Sequence, residues 1–234
     1  DLELAIPGAF WALFGNNGQS CTAGARLFVH RSLHDRVLEG LRKLADGLSI
    51  GPGMDARGHD LGPVISRPQM DKVLGYIADG RDAGAECVAG GARRGDAGWF
   101  VQPTILTGVR DDMRIAREEI FGPVLSVVRV PDYESALQLV CDNPYGNGAA
   151  IFTRDGDAAR DFTKRSNIGM VGVNVPIPVP VASHSFGGWK RSMFGSSNTH
   201  GMDGVRFYTR IKTVTARWPS GIRQGADFSI PTLK

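Results

Sequence analysis

Glu118-Glu119-Ile120-Phe121-Gly122-Pro123-Val124, continuing as a β-rich run to Val130, reads as an acidic turn feeding a buried strand. Just beyond it, Tyr133, Ala136, Leu137, Val140 and Cys141 fall on one helical face. Asn143-Pro144 ends that helix, because proline cannot continue the hydrogen-bond ladder. The alternation extends in both directions. Val37, Leu38, Leu41, Leu44, Ala45 and Leu48 repeat at three and four, as do Met70, Val73, Leu74 and Ile77, and a further helix is expected over Asp155 to Thr163. Between them lie β-prone runs at Arg26 to Val29, Glu86 to Val88, Ala149 to Phe152 and Met170 to Val175. Strands alternating with helices predict an α/β fold, a mostly parallel twisted sheet with helices on both faces.

Two stretches break the pattern. Residues 176 to 204 are rich in proline and glycine and read as a long loop, which inside a compact domain is usually functional. Val205 to Trp218 is a β-prone run carrying Arg206, Arg210, Lys212 and Arg217, with no internal glycine or proline. It is expected to be a C-terminal β tail that pairs with another subunit, or else a solvated basic edge strand.

With 42% hydrophobic and 22% charged residues in 234, the chain is globular in composition. Its net charge of +3 is scattered, with no basic run that would track a nucleic-acid backbone, and no nucleic-acid partner is expected. The apolar stretch Ala5 to Phe14 is too short to span a bilayer and follows acidic rather than basic residues, so no membrane role is expected. Cys21, Cys87 and Cys141 show neither a disulfide framework nor ligand spacing, and the histidines form no metal pattern. A cytoplasmic, metal-free protein follows.

Among the cysteines, Cys87 lies in a predicted strand and Cys141 on an apolar helix face, positions that suit packing. Cys21 differs. Asn16-Asn17-Gly18-Gln19-Ser20 before it and Thr22-Ala23-Gly24 after it are too polar and glycine-rich for a core. A cysteine on such a turn can offer both its sulfur and its own N–H to a carbonyl compound.

Gly18-Gln19-Ser20-Cys21, the Glu118 to Val124 stretch and Ser185-Phe186-Gly187-Gly188-Trp189-Lys190, in this order, resemble the carboxy-terminal half of an NAD(P)-dependent aldehyde dehydrogenase. The resemblance implies that Cys21 adds to the aldehyde, that hydride passes to the nicotinamide, and that water or a thiol releases the thioester. It assigns Glu119 to the nicotinamide ribose, Phe121 to the side of the same sugar and ring, and, from Gln69-Met70-Asp71-Lys72, the glutamine and Lys72 to the adenosine side of the cofactor. It places Phe186 at the substrate entrance. NAD is the implied cofactor, with NADP as the variant, and a small aldehyde is the substrate. The family pattern implies that residues 1–15 are the last helix of a cofactor-binding domain lying upstream, 16–203 the catalytic domain, and 204–234 an oligomerisation strand and tail. A homo-oligomer, dimer or tetramer, is expected.

Asn143-Pro144-Tyr145-Gly146-Asn147-Gly148, Asn174-Val175-Pro176-Ile177-Pro178-Val179-Pro180 and Val205-Arg206-Phe207-Tyr208-Thr209 look like the methylmalonate-semialdehyde dehydrogenases, which use coenzyme A as co-substrate. Those enzymes carry an arginine directly before the nucleophile to help hold a substrate carboxylate, whereas this chain has Ser20. The stretch around Cys21 looks more like hydrolytic members that release a carboxylic acid. A chain that serves only as an oligomerisation module is the remaining alternative.

Overall fold

The computed structural model describes residues 1–216. In chain order it comprises α1 (Leu2–Phe14), β1 (Arg26–His30), α2 (His34–Asp46), α3 (Arg67–Asp82), β2 (Glu86–Ala89), β3 (Thr104–Thr107), α4 (Arg114–Arg117), β4 (Val124–Val130), α5 (Tyr133–Asp142), β5 (Tyr145–Gly146), β6 (Gly148–Ile151), α6 (Gly156–Arg165), β7 (Met170–Val173), β8 (Trp189–Lys190) and α7 (Gly201–Tyr208). Four of the helices, α1, α3, α5 and α6, begin where short polar side chains cap free N–H groups. Ser66 accepts from the Gln69 N–H at α3, and Asp132 from Ser135 at α5.

The main sheet has the order β1-β4-β3-β2. β1 and β3 flank β4 in parallel, and β2 closes one edge antiparallel to β3. Successive residues of a strand face opposite ways, so β4 serves two cores. Val124, Val128 and Val130 pack with Met70, Val73 and Ile77 of α3, while Leu125 and Val127 pack with Phe10, Leu13 and Phe14 of α1 and Leu41 of α2. Helices thus cover both faces, as the hydrophobic patterning requires. Each fully buried leucine, isoleucine or phenylalanine here contributes about 1.5–3 kcal/mol relative to exposure.

The sheet is not continuous. β6 and β7 pair in parallel as a separate two-stranded unit, and β5 pairs antiparallel with β8. One feature of the sequence reading is corrected at the C-terminus. The β tail expected from Val205 is helical up to Tyr208, and residues 209–216 form no strand. A β-prone run becomes a strand only beside a ladder partner, and no described segment lies alongside this one. Arg217 and Trp218 lie outside the described residues.

Candidate functional site

The loop carrying Cys21 is laced onto the end of α1. Asn17 (φ +53°) and Gly18 (φ +65°) turn the chain back in left-handed conformations. The N–H of Gly18 bonds the Leu13 carbonyl at 2.9 Å, and the N–H of Gly24 bonds that of Ala12 at 3.0 Å. Between these anchors Cys21 is exposed as a free thiol. Ser20 turns its hydroxyl onto that of Thr22 at 3.0 Å and accepts the Thr22 N–H, so it shapes the turn itself. The N–H of Cys21 donates to no described residue. Its carbonyl accepts the Asn147 amide at 2.7 Å, a bond from the residue just ahead of β6.

Gly18 brings this loop against the acidic segment. A Cβ on Gly18 would collide with the Gly122 carbonyl oxygen, so the two backbones touch there. The opposing stretch is held by one face of α3, at positions three and four apart. The Gln69 side-chain amide donates to the carbonyls of Ile120 (3.1 Å) and Phe121 (2.7 Å), and Lys72 Nζ donates to that of Glu119 (3.2 Å). The Tyr76 hydroxyl donates to Glu118 Oε2 at 2.6 Å, and Arg114 bonds the same oxygen at 2.9 Å while stacking over the Tyr76 ring. These bonds hold the Glu118 carboxyl below its usual range, the tyrosine hydroxyl first and Arg114 second. Burial, then the carboxylate, pushes the Tyr76 phenol up. Phe121 is fixed at φ +58°, a left-handed conformation that costs a bulky residue about 1–2 kcal/mol. Ile120 is buried as the segment's plug, whereas Glu119 is exposed, its carboxylate bonded to no described residue.

Phe186 forms a third wall. It exchanges backbone hydrogen bonds with Thr199, and its ring lies 5.7 Å from that of His200. Lys190 secures the same loop by donating to the carbonyls of Cys141 and Asn143 at the end of α5. Ser20, Cys21, Glu119, Phe121 and Phe186 all line one open cleft of about 1130 Å3. Lys72 stands outside it, over the Tyr76 ring. Arg26 also lines the cleft, donating to the Ala116 carbonyl, and burial lowers its pKa while Asp111 opposes the shift.

Three features of this arrangement went unread in the sequence. The Asn147 contact spans 126 residues, and no local pattern encodes it. Gln69 was matched through the resemblance, but not its hold on the Ile120 and Phe121 carbonyls, and Tyr76 was visible only as part of a helix. The Gly18–Gly122 contact joins two motifs that could be matched separately but not docked.

The aldehyde dehydrogenase family model matches residues 1–214. The chain belongs to the aldehyde dehydrogenase family. It is 45% identical over 241 residues to the malonate-semialdehyde dehydrogenase of Pseudomonas aeruginosa, a match that covers 100% of this chain and 48% of that protein. The crystal structure of methylmalonate-semialdehyde dehydrogenase from Oceanimonas doudoroffii superposes with a TM-score of 0.90 at 44% identity, covering 94% of this chain and 46% of that one. An aldehyde dehydrogenase of Bacillus cereus in complex with NAD+ gives 0.87 at 37% identity, covering 92% and 43%. This aldehyde dehydrogenase chain spans about half the length of the curated relatives it matches. No described helix is long and apolar enough to cross a membrane.

Proposed function

We propose that this chain is the catalytic half of an NAD-dependent enzyme that oxidises malonate or methylmalonate semialdehyde and transfers the acyl group to coenzyme A. One observation carries the reading: an exposed Cys21 thiol shares a cleft with the Glu119–Phe121 segment. The thiolate forms a carbon–sulfur bond to the aldehyde, and the carbonyl electron pair moves to oxygen, toward the free Cys21 N–H. When bound, NAD supplies the acceptor for the hydride that leaves the same carbon. Glu119, with its carboxylate unbonded and its backbone held by α3, suits two ribose hydroxyls, and half-exposed Phe121 suits the adjacent ring. Cys21 then carries the acyl group until a thiol displaces it. Asn147 and the Ser20–Thr22 pair hold the sulfur's backbone still throughout.

The close malonate-semialdehyde relatives support the substrate assignment. A specific feature favours a second reading, release to water as a carboxylic acid: neutral Ser20 supplies no charge for a substrate carboxylate. The working enzyme is a cytoplasmic homo-oligomer, in keeping with three free cysteines and the exposed apolar side chains Val205, Phe207 and Tyr208. The test is single turnover with the full-length protein, malonate semialdehyde and NAD, with and without coenzyme A. An acyl-CoA product that disappears in Cys21→Ala is expected. Acid formed at the same rate with or without coenzyme A would select the hydrolytic reading, and unchanged turnover in Cys21→Ala would overturn the role of Cys21.

A further inference from the structure

Arg26 opens β1, five residues after Cys21, and the mechanism above gives it no part. Leu27 and Val29 pack in the core with α1 and α2, whereas Phe28 packs in the core with α3. Alternation along the strand puts Arg26 on the Phe28 face, its guanidinium 5.9 Å from that ring. Ser126, its ladder partner in β4, lies between Val124 and Val128 in that alternation and shares the face. Both side chains tie down α4. Arg26 Nη1 donates to the Ala116 carbonyl and Ser126 Oγ to that of Ile115, each at 3.2 Å. The Glu118 N–H closes on the Arg114 carbonyl at 2.9 Å, so three successive carbonyls of α4 find partners, two of them supplied by the sheet. A helix this short leaves its last carbonyls unsatisfied on its own.

Packing does not account for the charge on Arg26. No described carboxylate comes within ion-pair distance of it, and Asp111, whose field reaches it, is bonded by Arg117 at 3.5 Å. A neutral donor would satisfy one carbonyl with less desolvation, because taking an unpaired charge out of water is costly. The guanidinium adds a charge-assisted bond, stronger than a neutral one, and a stiff planar head on the strand that the thiol loop feeds. That strand begins two residues beyond Gly24, whose N–H anchors the loop to Ala12. α4 ends at Arg117, two residues ahead of Glu119. Lys72 and Gln69 of α3 hold the carbonyls of Glu119, Ile120 and Phe121. Glu119 is therefore gripped from α3 at and after its own backbone, and from β1 and β4 just before it. We infer that Arg26 is a positioning residue: through the Ala116 carbonyl it fixes where the Glu119 carboxylate stands relative to the Cys21 thiol. The inference rests on the pairing of Glu119 with NAD proposed above.

The test uses the full-length protein. In its NAD-free form, Arg26→Gln should speed amide hydrogen exchange at Ala116 and Glu118 by about tenfold, while Val127, buried in β4, keeps the parent rate. With malonate semialdehyde as substrate, the same variant should raise KM for NAD by about tenfold, and Arg26→Lys, which keeps the charge and a donor, should recover most of the loss. Loss of folded protein alone would lower kcat and leave KM where it was. Arg26→Met, unbranched and without a donor, takes the place of Arg26→Gln if that variant does not fold. Because Arg26 acts through Glu119, Arg26→Gln should add nothing to the KM of Glu119→Ala. Unchanged exchange at Ala116 and Glu118, or a KM for NAD that Glu119→Ala raises and Arg26→Gln does not, would overturn the inference alone. So would additive effects of the two substitutions. A KM unmoved by Glu119→Ala would overturn the pairing of Glu119 with NAD, and the inference with it.

Discussion

Gly18→Ala probes the contact that brings the thiol loop to the acidic segment. Gly18 and Gly58 both adopt left-handed φ, +65° and +68°, but a Cβ on Gly58 meets nothing within 4 Å, whereas one on Gly18 strikes the Gly122 carbonyl. Gly58→Ala therefore pays only the backbone term, about 1–2 kcal/mol. Gly18→Ala adds the displacement of packed backbone, about 1–3 kcal/mol more. With a urea dependence of about 2 kcal/mol per molar, the Gly18→Ala midpoint should fall below that of Gly58→Ala by roughly 0.5–1.5 M. Urea unfolding followed by circular dichroism reads the difference. The same samples, treated with iodoacetamide and mapped by mass spectrometry, should show altered alkylation at Cys21 and none at Cys87, which lies in the remote β2. Coincident midpoints for the two variants would refute the contact between Gly18 and Gly122.

Asn147→Leu, branched at the same carbon, removes the bond to the Cys21 carbonyl and should cost about 0.5–1.5 kcal/mol in stability, with a changed Cys21 alkylation rate; an unchanged rate would remove Asn147 from the site. In the full-length enzyme, Glu119→Ala should lower turnover and weaken NAD use while leaving Cys21 alkylation intact, read by steady-state kinetics beside thiol mapping. Gln69→Leu strips two carbonyls of the segment before Gly122 of their donor, so limited proteolysis should cut near Phe121 faster than in the parent. Tyr76→Phe removes the main influence that holds the Glu118 carboxyl low. A depressed folded-state pKa stabilises above the unfolded value and loses that effect as pH falls through the folded one. The stability gap between parent and Tyr76→Phe should therefore be widest near neutral pH and narrow below the ordinary glutamate range, as followed by urea midpoints at several pH values.

Much of the fold could be read because periodicity is local. The apolar spacing from Val37 and from Met70, and the run to Val130, register which side chains face a core, and the helices and β4 appear where those patterns lie. β3, buried at every position, is short and was not separated from its loop. The run from Val205 failed for a different reason: β-propensity describes a residue's fit to a ladder, and the ladder is supplied by other segments. The site divides the same way. Cys21, Glu119, Phe121 and Phe186 stand out through unusual neighbours and family motifs, and the cleft gathers them. Asn147 and Gln69, which aim them, act through ordinary amides on distant backbone; those contacts leave no mark in sequence, although the family motif does pick out Gln69 itself. Lys72, which the resemblance assigns to the cofactor, sets its ammonium on the Glu119 carbonyl.

The bond between Asn147 and Cys21 also orders events in time. During synthesis the sulfur emerges more than a hundred residues ahead of its distant amide tether, so nascent polypeptide exposes an unaimed thiol until the late strands dock. Copies whose late strands fail to dock would lack the amide that pins the Cys21 carbonyl.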